Sequence, residues 1–187
     1  MPGTQITLAN RAVTTSSTSC SCAAVSPVSP AEAVAWAAVE KVQCADEVLL
    51  SPAPFATRED WCAARVAYTE ARLTALPPGS PIVLVNHFPL RPDLAVLPRI
   101  PRFTIWCGTT RTADWHTRFP LTVVVSGHLH MRSTRWRDGV RFEEVSLGYP
   151  AQWQQERGAG GYLRQILPAP APAAAGWGDD RTVIRHR

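Results

Sequence analysis

Lysine is nearly absent from this sequence: Lys41 is the only one in 187 residues, so every other basic side chain is an arginine. Also missing is any apolar run near the roughly 18 residues that a membrane helix needs. The N-terminus lacks the basic start and apolar stretch of a secretory signal, so a cytoplasmic chain with no membrane partner is expected. Cysteine is sparse and odd in number, at five. Cys20 and Cys22 sit in a Ser/Thr tract, and Cys44, Cys62 and Cys107 lie in apolar settings. That spacing excludes a disulfide framework or zinc ribbon and predicts reduced thiols. Histidine is absent before His87.

The length and a 45% hydrophobic content suit one domain with a real core. Charge is concentrated by region. Residues 1–90 carry five basic and seven acidic side chains, 91–141 nine and three, and 142–187 five and five. The regional balances of −2, +6 and 0 sum to the net +4. Arginine's planar fork matches phosphate or carboxylate, so the positive middle segment suggests an anionic ligand, against the plainer reading of a solvated surface. Nucleic acid is disfavoured, because the arginines form no helical stripe and no RNA-binding signature.

Residues 1–50 are low in complexity and then Ala-rich; "TTSSTSCSCAAVSPVSP" is expected to be loose, and 31–43 to form a helix after Pro30. Thr57 and Asp60 have capping spacing, and Cys62, Val66, Thr69, Leu73 and Leu76 mark one helical face ended by Pro77, Pro78 and Gly79. "PIVLVNHFP" reads as a strand buried on both sides, "RFTIWCGT" as a second, "TADWHTRF" as a short helix or turn, and "LTVVVS" as a third strand. "VRFEEVSLGYP" reads as a fourth whose apolar parity switches between Phe142 and Val145, which hints at a bulge or twist, and "YLRQILP" as an edge strand. Residues 169–187 are a Pro/Ala-rich tail, expected to be disordered.

Two of these strands end in histidine: Asn86-His87, and Gly127-His128-Leu129-His130. Two imidazoles one residue apart, with Gly127 letting the backbone turn tightly, can converge on a metal, and they can equally be ordinary loop residues. His87 sits in the equivalent place after another strand and favours the metal; His116 and His186 have no such context and are taken as non-ligands.

"VLVNHFP", "VVVSGHLH" and "FEEVSLGYP" together resemble the C-terminal half of the calcineurin-like metallophosphoesterases, over about residues 80–150. The resemblance implies an α/β fold, here a partial four-layer α/β/β/α sandwich over residues 51–168, and a centre of two divalent ions, Mn, Fe or Zn. Carried over by position, His87 and His128 would ligate one metal and His130 the other. Arg91, Arg111 and Arg132 are the candidates for holding a phosphorylated substrate. "RFTIWCGTTRTADWHTRF" and "GHLHMRSTRWRDGVRFEEVSLGYPAQW" look like the actinobacterial phosphopantetheinyl hydrolase branch, which implies phosphodiester hydrolysis with an acyl carrier protein as partner. Trp106, Trp115, Trp136 and Trp153 either line a groove for that substrate or pack internally.

The family's early motifs, Asp-x-His, Gly-Asp and Gly-Asn-His, do not occur in residues 1–80. Two dications without a bridging carboxylate would repel, so an incomplete centre with weak metal binding is expected. Three readings compete: a truncated phosphoesterase, an inactive binding or regulatory module built on that fold, and an enzyme completed by another chain.

Overall fold

In a computed structural model of the chain, the structure describes residues 7–8, 30–43, 49, 51–169 and 182–184. Its centre is one mixed sheet of six strands: β1 (Thr7–Leu8), β2 (Ile82–Val85), β3 (Leu121–Ser126), β4 (Ser133–Arg137), β5 (Val140–Glu144) and β6 (Thr182–Ile184). Their order is β1-β2-β3-β5-β4-β6. β1, β2, β3 and β5 run parallel, and β4 pairs antiparallel with both β5 and β6. The ends of β2, β3 and β5 therefore open on one edge, where parallel sheets place their ligands.

The apolar runs of β2 and β3 are explained by cover on both faces. On one face Ile82, Leu84, Val124 and Phe142 pack with Leu90, Leu94, Trp115 and Leu73. On the other, Val83, Val123 and Val125 meet Val145, Ile166 and Leu167. Leu73 belongs to the helix α2 (Arg58–Thr74), which follows α1 (Pro30–Glu40). Thr57 caps α2 as the spacing predicts: its Oγ1 accepts from the Asp60 N–H at 3.1 Å. Arg118, at the end of the short α3 (Trp115–Arg118), forms an ion pair with Glu70 of α2. Cys62 and Cys107 are buried and not in a disulfide; Cys20, Cys22 and Cys44 lie outside the described residues.

Several expectations are corrected. Residues 101–106 form a 3-10 helix, not a strand. Pro101 opens it, and its apolar side chains serve a satellite core in which Ile105 and Trp106 pack with Trp36. "YLRQILP" is not a strand: Tyr162 ends a 3-10 turn and extended chain follows. Strand β4 was unforeseen, and Thr182–Ile184, inside the expected tail, pairs along its outer edge. The irregularity lies in β3, not β5. Ile82 faces Leu121 but Val83 faces Val123, so Thr122 is the extra residue, whereas β5 keeps its register through Glu144. The described residues form a mixed α/β fold, a single sheet with helical cover, and a second sheet of a four-layer sandwich is not among them; the expected looseness of residues 1–30 falls largely outside them.

Candidate metal and phosphate site

Three strand ends build the candidate site. After β2, the Asn86 N–H donates to Val125 O at 2.8 Å and the Asn86 side-chain amide to Phe88 O at 3.0 Å, which turns the chain and presents His87. After β3, the Gly127 N–H donates to His87 O at 3.0 Å and locks the two loops together. After β5, the Val145 N–H donates to Ser126 O at 2.8 Å and brings in Ser146. Gly108 backs this edge at φ +121: a Cβ there would meet Pro89 O at 3.1 Å and Phe88 Cβ at 3.2 Å, so only glycine fits.

His87 Nε2 and His128 Nδ1 approach to 3.1 Å, and the Phe88 ring sits edge-on to both imidazoles at 4.6 Å. His130 lies close enough to bear electrostatically on His128, and its ring is tilted against Tyr149 with centroids 4.2 Å apart. Burial, with smaller repulsion from His87 and His130, pushes the His128 pKa down to about 4, so its ring is neutral at neutral pH.

The tight turn does not depend on Gly127 in the way its position suggests. The left-handed residues are His128 (φ 72), His130 (φ 57) and Arg132 (φ 44). The Leu129 N–H closes on Gly127 O at 2.9 Å around His128, a γ-turn that is costly for a residue with a side chain. What stabilises it is Glu144, which the sequence reading gave no role. Its Oε2 accepts from the Met131 N–H at 3.1 Å and from the Arg132 N–H, its Oε1 from Ser146 Oγ, and Ser146 Oγ accepts from the His130 N–H at 3.3 Å. The signal available in sequence was the period-two spacing of Glu144 and Ser146 beyond Phe142.

The donor set suits a divalent metal in one respect. Two nitrogens bound to one ion at about 2.0–2.1 Å stand roughly 3 Å apart, close to the observed separation. His130 Nδ1 is buried with no hydrogen-bond partner. It does not suit a binuclear centre: the nearby carboxylate, Glu144, is occupied by backbone and Ser146. Among the described residues no group of three or more His, Cys, Asp or Glu is arranged to hold a metal.

The three predicted arginines part company. Arg132 adjoins the histidines, with Nε donating to Ser146 O at 3.2 Å and Nη2 to Leu147 O. Arg91 is bound to Asp93 at 2.8 Å and sits beside His116 and Asp138. Arg111 is exposed on a 3-10 turn. Of the four tryptophans, Trp106 and Trp115 are core residues at 5% and 3% exposure, while Trp153 is exposed.

No family model matches the chain. It is 54% identical over 142 residues to the [Acyl-carrier-protein] phosphodiesterase PptH of Mycobacterium tuberculosis, covering 76% of this chain and 44% of that protein. Among solved structures it is similar to the crystal structure of Phosphopantetheinyl Hydrolase (PptH) from Mycobacterium tuberculosis, with a TM-score of 0.71 and 52% identity over 79% of this chain and 52% of that one. The chain is a close homologue of PptH over the matched stretch and spans about half its length. No helix among the described residues is long and apolar enough to cross a membrane.

Proposed function

We propose that this chain contributes the histidine side of a divalent-metal centre to a phosphodiesterase that releases phosphopantetheine from an acyl carrier protein. The observation that carries the reading is the 3.1 Å approach of His87 to His128 at the ends of adjacent parallel strands. The homology to PptH supports the substrate. His87 and His128 would hold a metal, with His130 as the candidate third ligand after a shift of its side chain, and the bound ion would supply Lewis acidity toward a phosphoryl oxygen and lower the pKa of water. Glu144 and Ser146 hold the His128–Arg132 loop in its left-handed path. Arg132 orients an anionic oxygen of the substrate, and Phe88 shields the imidazoles from water.

The test replaces the matched stretch of PptH with this chain and follows the mass of a holo carrier protein with Mn²⁺ supplied. The expected result is loss of the phosphopantetheine mass, abolished by His128→Ala. A folded chimera that leaves the carrier modified overturns the reading. A second reading, an inactive binding module with one metal on three histidines, is favoured by the absence of a free carboxylate beside the histidines among the described residues. Equilibrium dialysis separates the two by metal stoichiometry: the module holds one Zn²⁺ per chain in every context, whereas the enzyme reading requires two in the active chimera.

A further inference from the structure

Most arginines around the sheet have a carboxylate partner. Arg91 and Arg137 share Asp93, each at 2.8 Å; Arg118 has Glu70; and Arg164 has Glu143 at 2.8 Å. Arg132 and Arg157 differ: among the described residues no carboxylate pairs with either side chain. Both lie over the ring of Tyr162, the Arg132 guanidinium at 4.3 Å from its centroid and that of Arg157 at 5.8 Å. The ring is itself fixed, since the Tyr162 hydroxyl accepts from the Gln154 N–H at 2.6 Å. Arg132 is anchored by two carbonyls, of Ser146 and Leu147. Neutral carbonyls set the plane of a guanidinium without cancelling its charge, and they leave donors on the fork free.

These groups enclose a cavity of about 220 Å³, lined by Arg132, Arg157, Tyr162, Arg164 and Val145. One water needs roughly 10–15 Å³ of such space, so a phosphoryl group with part of its ester fits. Ser146 joins the cavity to the histidines: its hydroxyl accepts from His130 and its carbonyl from Arg132. Two guanidinium charges on one aromatic ring repel each other, and the ring's quadrupole offsets only part of that. An anion bearing two charges between them completes the balance.

We propose that this cavity is a binding site for a phosphate dianion, the terminal group of a phosphomonoester or inorganic phosphate itself. The inference rests on the preceding reading only for the source of the ligand. In hydrolysis of the carrier diester, water forms a new P–O bond, the P–O bond to the carrier breaks, and the carrier hydroxyl takes the proton. The small product is then a phosphomonoester, formed beside Arg132.

The test titrates inorganic phosphate into the full, metal-free chain at constant ionic strength and follows the arginine Nε–H signals by NMR. Saturable shifts at Arg132 and Arg157 are expected. Arg157→Ala, an exposed position where folding is not at stake, should weaken phosphate about tenfold, with Arg157→Lys in between because it keeps the charge and loses the fork. A second arm uses phosphopantetheine: tighter binding than phosphate marks the monoester as the ligand, and equal binding marks free phosphate, both dependent on Arg157. Equal phosphate affinity in the unaltered chain and Arg157→Ala, or binding lost with His128→Ala and not with Arg157→Ala, overturns the proposal. Phosphate binding that depends on Arg157 stands even if the chimera leaves the carrier intact, so the two failures are distinguishable.

Discussion

Two histidine clusters share this sheet, and they differ in their counter-charges. His116 is buried, with Nε2 at 2.7 Å from Asp138 Oδ2 and 2.8 Å from Arg91 Nη1. One nitrogen cannot donate to the aspartate and accept from the arginine at once, so Nε2 bonds one or the other according to the tautomer. Asp138 stands in the β4–β5 turn and Arg91 in the loop after β2, so the cluster ties three segments together through Nε2, while Nδ1 is buried without a hydrogen-bond partner. The other cluster has the opposite design: the His87 and His128 imidazoles face each other with no free carboxylate beside them among the described residues, and His128 and His130 sit on left-handed backbone. Sequence position separates the strand-end histidines from His116, and what faces each ring gives the physical reason.

The comparison breaks most visibly in metal affinity. His128→Ala should lower Zn²⁺ affinity of the full chain at least about a hundredfold, while His116→Ala leaves it unchanged, as read by competition with a chromogenic chelator. Acid separates the clusters next. With the His128 pKa near 4 in the folded chain and about 6.5 unfolded, the unfolded state binds the proton first as pH falls. The stability held by the neutral ring is complete above about pH 6.5 and is lost down to about pH 4, on the order of 3 kcal/mol. Urea denaturation across that range should show the slope in the unaltered metal-free chain and a shallower one in His128→Ala.

Stability at neutral pH sharpens the contrast in reverse. His116→Ala opens a cavity and leaves Arg91 and Asp138 less well paired, at a cost of about 2 kcal/mol in the same denaturation experiment. The smallest effect is expected at Gly127→Ala. A Cβ there meets Ser146 Oγ at 3.5 Å, an ordinary contact, and the φ is not left-handed. The change should cost under about 0.5 kcal/mol and leave metal affinity intact.

How far the sequence reveals this arrangement depends on whether burial was apolar. β2, β3 and α2 were legible because Ile82–Val85, Leu121–Ser126 and the Thr57 cap carry unambiguous patterns. β4 was not, because its buried residues are Ser133, Thr134 and Arg135, at 4%, 2% and 7% exposure. They are buried through polar pairing: Thr134 Oγ1 donates to Glu143 at 2.7 Å, and Arg164 bonds the same carboxylate. A strand whose buried residues are polar and hydrogen-bonded has no hydrophobic period to read. The 3-10 helix at 101–106 misled in the other direction, since a short apolar run fits a strand and a buried turn equally well. The histidines were found because a ligand at a strand end is local in sequence. Glu144, which shapes their loop, was missed because its partners Met131 and Arg132 lie on another segment.

The parallel pairing of β2 with β3 also sets an order of events. β4 and β5 are joined by Asp138-Gly139 alone, both residues with positive φ, so this hairpin closes locally on a timescale of about 1–10 μs. β2 must instead find β3 across some forty residues, Val85 against Val125, and loop-closure entropy delays that step. Glu144 arrives with the hairpin and shapes the His128–Arg132 turn early, while His87 joins only when β2 docks. The two halves of the candidate site therefore form at different stages: the hairpin that shapes the His128–Arg132 loop closes first, and His87 meets His128 only after the longer-range pairing of β2 with β3.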